Sequence, residues 1–496
     1  MSCRAVGQLA AVAGVLAVCA VAGSAATASA AAISAGPAAS VKLVTAWPAR
    51  GLGEPAAAED ASVSVVAATT FGAEGARVGI WTRRARAAAW TGAGLLVPAG
   101  FGSSYDASTA AAPGGPVLVV VGTAPAGESC IADGSVAIAS VGPDGRVGEP
   151  RLASDQRGTG SFDDRPAVAV GAAGTVWVAW SQGPDSDACQ NVGAGDRLEV
   201  AVSHDGGKTF GDPVAMPADG GHSAFGARLA PLSGGRVAVS WTEATGGGGE
   251  AVLVSVLGPE GQISGPQPVL TGNGVPLVLP GASFYDFPAG DIVALGGGRL
   301  MVAVPFWRSG ASVIALAAGV PGGRWIDSVV TPPTGSDLLL PALGLVSAGD
   351  VRLLCAIHAR QGDRLGYAVA NLEAGGQGAI APAGLTSLTR EPAGPGFYEI
   401  GEELSLTRTP GGLLASFVVG GGDGGVLETA AFKAPPARPA GAASHITAAP
   451  AGLALVTAAG QLAAGRYSRA MAAAAWAAAA VFLCVVFLSV WRLRQR

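Results

Sequence analysis

The chain has 496 residues, half of them hydrophobic and 13% charged, with 77 glycines and 33 prolines. Its net charge of −5 argues against a nucleic-acid partner, because such binding rests on basic contacts to phosphate. Much of the apolar fraction is alanine, so a mean hydropathy of +0.44 does not call for several membrane spans.

In chain order, the first segment is one basic residue, Arg4, an apolar run from Ala5 to Ala22, and an A-x-A site at Ala28-Ser29-Ala30. This is the pattern of a secretory signal peptide over residues 1–30. Cys19 follows Val18, a poor fit to the small residue a lipoprotein signal needs there. Residues 31–40 read as a linker and 41–468 as the exported domain. Without Arg4, Arg469, Arg492, Arg494 and Arg496 the exported part keeps 25 basic and 35 acidic residues, a net of −10.

From Val41 to Pro98 there are strand-like runs, Ser62–Val66 and Val78–Trp81, with no hairpin of their own recognised. Hairpins with small-residue turns then recur at Gly114-Gly115, Gly171–Gly174, Gly234-Gly235, Gly296–Gly298, Ala348–Asp350, Gly411-Gly412 and Ala451-Gly452. Valine- and tryptophan-rich runs between glycine clusters argue for strands. A second kind of turn follows each of several hairpins, at Ser140–Pro150, Ser203–Pro213, Val256–Pro266 and Gly319–Trp325. The repeating unit is therefore four strands, and units begin near Tyr105, Asp164, Phe225, Tyr285, Leu340 and Tyr398. Four-stranded units repeated at a fixed period predict an all-β fold, a β-propeller. The hairpin at Ile446–Leu462 has too little chain after it for a complete unit, so the N-terminal strands are expected to complete that blade and close a seven-bladed ring. Six blades is the alternative.

At the C-terminus, Ala470 to Trp491 is uncharged and is followed by Arg492, Arg494 and Arg496. This predicts one transmembrane helix over 470–491 and a cytoplasmic tail over 492–496. The expected protein is single-pass type I, with its propeller outside the cell and the membrane as one partner. Ala434 to Ala443 reads as a linker or a long loop. Cys3 and Cys19 leave with the signal and Cys484 lies in the span. Cys130 and Cys189 fall in like-phased loops of consecutive units, which in an exported protein predicts a disulfide. Cys355 reads as a buried small hydrophobe.

The turn Ser203-His204-Asp205-Gly206-Gly207-Lys208-Thr209-Phe210 resembles the Asp-box, or bacterial neuraminidase repeat, of sialidase-like β-propellers. The resemblance implies that Ser203, Asp205, Gly207, Thr209 and Phe210 form a structural turn on a blade rim, away from any central site. It also favours the six-bladed alternative, since sialidase relatives have six blades. Sialidases bind a substrate carboxylate with three arginines, use a Tyr/Glu nucleophile and an Asp acid/base, and carry an F-R-I-P-like motif. Phe162-Asp163-Asp164-Arg165-Pro166 is the nearest stretch, keeping Arg and Pro but lacking the Ile. Arg165 is the one motif-guided catalytic candidate, against its reading as the start of a strand in solvent or in an ion pair between blades.

Arg228 and Arg308 lie near hairpins, and Tyr398 precedes Glu399, Glu402 and Glu403, all without a motif. Tyr398 and Glu399, adjacent in a strand, would point to opposite faces. The four histidines, His204, His222, His358 and His445, show no ligand spacing, so no metal site is predicted. Asp133, Asp185 and Asp187 read as solvated loop acids rather than a calcium site. No cofactor is expected. Three functions remain: a non-catalytic surface propeller that binds a ligand, glycan or protein; a sialidase-type exo-glycosidase; and a cell-envelope scaffold subunit. The first is preferred.

Overall fold

Runs such as Val117–Val121 and Val176–Trp180 are apolar at every position, the pattern of a strand buried on both faces. In the computed structural model these are the second strands of four-stranded antiparallel sheets. The structure describes residues 39–43 and 51–433, apart from 73–74, 86, 88, 112–113, 127–130, 186–196, 217–222, 277, 283–288, 348, 375–379, 383, 389–403 and 420–425. The expected signal peptide, membrane helix and tail, and the hairpin at 446–462, lie outside the described residues.

Strand β1 (Ala39–Leu43) stands apart in sequence from the sheet that follows it, β2 (Gly51–Glu59), β3 (Val63–Gly72), β4 (Gly75–Arg84) and β5 (Thr91–Leu96). The next sheets are β6 (Phe101–Ala111), β7 (Val117–Pro125), β8 (Ser135–Val141), β9 (Arg151–Leu152), then β10 (Ser161–Val170), β11 (Val176–Pro184), β12 (Arg197–Ser203), β13 (Val214–Ala215). Two further units are β14 (Ala224–Leu232), β15 (Arg236–Gly246), β16 (Gly249–Leu257), β17 (Ile263–Asn273), and β18 (Asp291–Gly296), β19 (Arg299–Arg308), β20 (Ala311–Gly319), β21 (Trp325–Val330). They count as one sheet through a single pairing, Asn273 with Trp307. Then come β22 (Ser336–Ser347), β23 (Asp350–Ala359), β24 (Arg364–Ala374), and the short β25 (Ile380–Pro382) and β26 (Thr386–Ser387), both on β24. The last strands are β27 (Ser405–Thr409), β28 (Gly412–Val419) and β29 (Val426–Lys433), with β1 paired to β29.

Two expectations change here. The stretch from Val41 to Pro98 does contain a hairpin, β2–β3, and forms a complete sheet of its own. Its turn carries no glycine; the Asp60 carboxylate closes it by accepting the N–H groups of Ser62 (2.6 Å) and Val63 (2.7 Å). Only β1 crosses to the C-terminal sheet, whose hairpin is the one at Gly411-Gly412.

Side chains alternate across each strand, so one strand serves two interfaces. Val117, Val119 and Val121 pack with Val65 and Val78 of the preceding sheet, whereas Leu118 and Val120 pack with Val176 and Trp180 of the following one. The same arrangement continues around the molecule. It ends with Leu414 and Val418 of the C-terminal sheet against Val66 and Trp81 of the sheet that begins at β2. The innermost strands β2, β6, β10, β14, β18, β22 and β27 each lie against the next, and β27 lies against β2. This is the radial arrangement of a β-propeller.

Candidate functional site

The innermost strands share a local irregularity. Each of β2, β6, β10, β14 and β22 breaks register at a bulge that contains a residue with a positive φ: Glu54 (51°), Asp106 (49°), Arg165 (53°), Gly226 (69°) and Leu340 (48°). Four of the five are not glycine, and such residues cost of order 1 kcal/mol or more of local strain. The surroundings hold them. The Glu54 carboxylate accepts Thr69 Oγ1–H (2.6 Å) and the backbone N–H of Asp106 in the next sheet (3.0 Å). Leu340 is buried in the cluster that also holds Leu406 and Leu413 of the next sheet.

Arg165 occupies the same bulge of β10. It is 5% exposed, and its Nε lies 3.8 Å from Asp164 Oδ2. The strand expected to begin at Asp164 begins at Ser161, so Asp164-Arg165-Pro166 lies within it at the bulge, and its arginine is buried rather than in solvent. Around it, Tyr105 lies over Gly122 of the adjoining strand, its hydroxyl shielded from water and without a hydrogen-bond partner among the described residues. Burial, with the nearby carboxylates Asp164, Asp106, Asp163 and Glu54, holds the Tyr105 phenol well above its ordinary pKa. Asp163 is fully buried and is held by Ser154 Oγ, Gln182 Nε2 (2.9 Å) and Gln156 Nε2 (3.2 Å). Burial outweighs those donors and pushes its carboxyl up to about 6.

Just past the bulges, the innermost strands enclose a cavity of about 190 Å³ in the central channel. Its walls include Ala56, Val168, Leu229 and Leu343, with Ser108, Thr109, Ser405 and Thr407. Two charged residues among those described line it, Arg228 and Asp291. Asp291 Oδ1 accepts the N–H of Ile292 (2.7 Å), and Oδ2 accepts that of Leu343 (2.6 Å) in the next sheet. Burial pushes its carboxyl up to about 6, against the lowering effect of those bonds and of Arg228. Thr109 Oγ1 is shielded from solvent and has no hydrogen-bond partner among the described residues.

The Asp-box turn joins β12 to β13, at the opposite end of the strands from Arg165. Asp205 Oδ1 accepts Ser203 Oγ–H (2.8 Å) and the N–H groups of Lys208 and Thr209 (both 2.9 Å), and Oδ2 accepts Thr209 Oγ1–H (2.6 Å). These bonds hold the Asp205 carboxyl well below the usual range. Phe210 packs on the cluster between this sheet and the preceding one.

Other predicted residues separate. Cys130 and Cys189 lie outside the described residues, but the loops that carry them adjoin: Asp185 Oδ1 accepts the N–H of Asp133 at 2.9 Å. Asp187, His222, His445, Tyr398, Glu399, Glu402 and Glu403 also lie outside. Cys355 is buried in β23, and burial pushes its thiol up to about 12. His358 is buried between Asp337 (3.5 Å) and Asp363 (3.1 Å), with Arg360 on Asp337. His204 is exposed, and Arg308 ends β19. Among the described residues no three His, Cys, Asp or Glu converge on a metal position. Sequence reasoning missed Asp291 and Glu54. A signal for the bulges existed in the triplets Glu54-Pro55-Ala56, Arg165-Pro166-Ala167 and Leu340-Pro341-Ala342.

Fold and site together define a β-propeller with a charged central channel, so the resemblance carried by the Asp-box extends to the arrangement of the sheets. No protein-family model matches the sequence, and no curated protein matches it. Among solved structures, the chain is similar to a protein of unknown function from Dyadobacter fermentans, at 15% identity and a TM-score of 0.44, covering 66% of this chain and 94% of that one. It is similar to an ulvan lyase of polysaccharide lyase family PL25, at 11% identity and a TM-score of 0.49, covering 78% and 95%. It is also similar to Trypanosoma rangeli sialidase, at 12% identity and a TM-score of 0.42, covering 62% of this chain and 53% of the sialidase.

Proposed function

We propose that the chain is an exported, membrane-anchored propeller of seven blades that binds a ligand at the channel mouth without chemistry. The export signal is read from residues 1–30 and the anchor from 470–491. The blade count is supported by the closed succession of innermost strands, with the eight-stranded sheet taken as two blades.

The observation that carries the binding reading is the state of Arg165. It is buried in a bulge that elsewhere fastens one sheet to the next. Recognition of a carboxylate by arginine needs an accessible guanidinium fork. Arg228 is the one arginine among the described residues that lines the cavity. Glu54, Asp106, Asp163 and Asp164 cluster near the Tyr105 phenol beside Arg165, a setting that disfavours an anionic sugar.

The test is binding of the purified full-length chain to an array of neutral, cationic and anionic glycans, with mass analysis of eluted material. The reading expects bound ligand to be recovered intact. Shortened or unsaturated products would support an enzyme instead.

A further inference from the structure

We propose that His358 is a pH-sensitive latch on the seam between the sheet that begins at β18 and the sheet that begins at β22. Its protonated form holds the seam closed, and its neutral form loosens it. The inference is independent of what the channel binds.

The latch is built on neighbouring strands. Asp337 on β22 pairs with His358 on β23, and both residues are fully buried. His358 Nδ1 lies 3.5 Å from Asp337 Oδ2, and Nε2 lies 3.1 Å from Asp363 Oδ1. Asp363 sits in the turn between β23 and β24, with a φ of 47°. Each ring nitrogen therefore faces a carboxyl oxygen. A neutral imidazole has one N–H and one lone pair, whereas the imidazolium has two N–H groups. The neutral ring serves one oxygen and turns its lone pair toward the other. The cation serves both.

Charge balance selects the same form. Arg360 donates twice to Asp337, from Nε to Oδ2 (2.8 Å) and from Nη2 to Oδ1 (2.7 Å). Buried charges are costly unless paired, and these two carboxylates and two bases balance when His358 is charged. Burial raises the Asp337 carboxyl, but donation from Arg360, His358 and Ser312 outweighs it and holds the group well below the usual range. Asp337 thus stays an anion where a histidine titrates. Of the elements around the ring, β19 brings Trp307 under the Arg360 guanidinium (5.6 Å), β20 brings Ser312, and β24 pairs Leu365 with His358. Asp337, Arg360 and Asp363 are the charged groups that these contacts place there.

The same residues join the two sheets. Asp337 Oδ1 accepts the N–H of Ser312 on β20 (2.8 Å), Ser312 Oγ donates to the Leu338 carbonyl (2.7 Å), and Arg360 Nη2 donates to the Gly310 carbonyl (2.6 Å). Loss of the His358 proton removes a donor from this group and sets a lone pair against a carboxyl oxygen. The contribution of His358 to the seam is therefore present at low pH and is lost as the pH rises through its titration.

The experiment is hydrogen exchange of the full-length chain between about pH 5.5 and about pH 8.5, on either side of histidine titration. It is read at the Ser312 amide by mass spectrometry with fragmentation, corrected for the intrinsic rate at each pH. The control is the Ala57 amide, which donates to Ser405 Oγ at 3.0 Å, a bond between β2 and β27 with no titratable member. Protection at Ser312 should fall about tenfold toward the higher pH, and protection at Ala57 should change less. His358→Gln should remove the extra fall at Ser312. Asp363→Asn keeps a side chain suited to a positive φ and should move the fall to lower pH, so it carries the test if His358→Gln does not fold. An equal change at Ser312 and Ala57, an extra fall that survives in folded His358→Gln, or one that Asp363→Asn leaves at the same pH would overturn the inference.

Discussion

The Glu54 carboxylate accepts the backbone N–H of Asp106 at 3.0 Å, so the bulge of one innermost strand is fastened to the bulge of the next. Glu54 also takes the Thr69 hydroxyl at 2.6 Å within its own sheet. Ser405 Oγ does the equivalent across β27 and β2, accepting the N–H of Ala57 at 3.0 Å. Removing such a partner leaves a buried donor unsatisfied. Glu54→Ala should lose about 2–3 kcal/mol in denaturant unfolding, and Glu54→Gln less. An unchanged midpoint in Glu54→Ala would show that the tie contributes nothing.

The Asp-box makes a second prediction. Gly207 has φ 85°, and a Cβ there would lie 3.3 Å from Ile138 Cδ1 of the preceding sheet. Gly207→Ala should cost about 1–2 kcal/mol from the left-handed backbone alone. Asp205→Ala should lower the thermal midpoint at neutral pH. The Asp205 carboxyl is held below its ordinary value, so its contribution is present at neutral pH and is lost as pH falls below that value. Equal midpoints for Asp205→Ala and wild type at pH 7 would contradict this role.

The fold was largely legible because strand alternation and turn glycines act locally. The hairpin turns at Gly114, Gly234 and Gly296–Gly298 all adopt positive φ, as their residue type foretold. The turn at Asp60–Ser62 escaped notice because a carboxylate closes it instead of a glycine. The site was less legible. Asp291 and Glu54 matter through partners more than 50 residues away in the next sheet, and no local pattern records that pairing. Arg165 was found by motif, but its burial is a property of the ring and not of its neighbours in sequence.

Buried carboxylates set the pH response. Asp163 is pushed up to about 6 and Glu250 to about 7, both chiefly by burial, and Glu250 Oε2 has no hydrogen-bond partner among the described residues. A raised carboxyl binds its proton more tightly in the folded than in the unfolded chain. Its favourable contribution is therefore full below the ordinary carboxylate values and is lost as pH rises through about 6 and about 7. Asp163→Asn and Glu250→Gln should each flatten this fall, by up to about 3 kcal/mol. Urea unfolding measured from pH 4 to 8 checks it; parallel curves for wild type and both variants would refute it.

Cys130 and Cys189 should form a disulfide. Asp133 and Asp185, three and four residues away from them, already bring the two loops into hydrogen-bond contact. Closing a loop of about 60 residues should stabilise the domain by roughly 4 kcal/mol. Peptide mapping without reductant should find the linked pair, and two free thiols would end the idea.

The most direct test of binding without chemistry is release of a fluorogenic leaving group from a sialoside by the purified full-length chain. Glycosyl transfer to a tyrosine requires a placed carboxylate beside it and a bound anionic sugar, and the buried Arg165 supplies no clamp for that sugar. The expected result is no release above the buffer rate. Turnover that disappears in Arg165→Ala would contradict the account and make the chain a glycosidase.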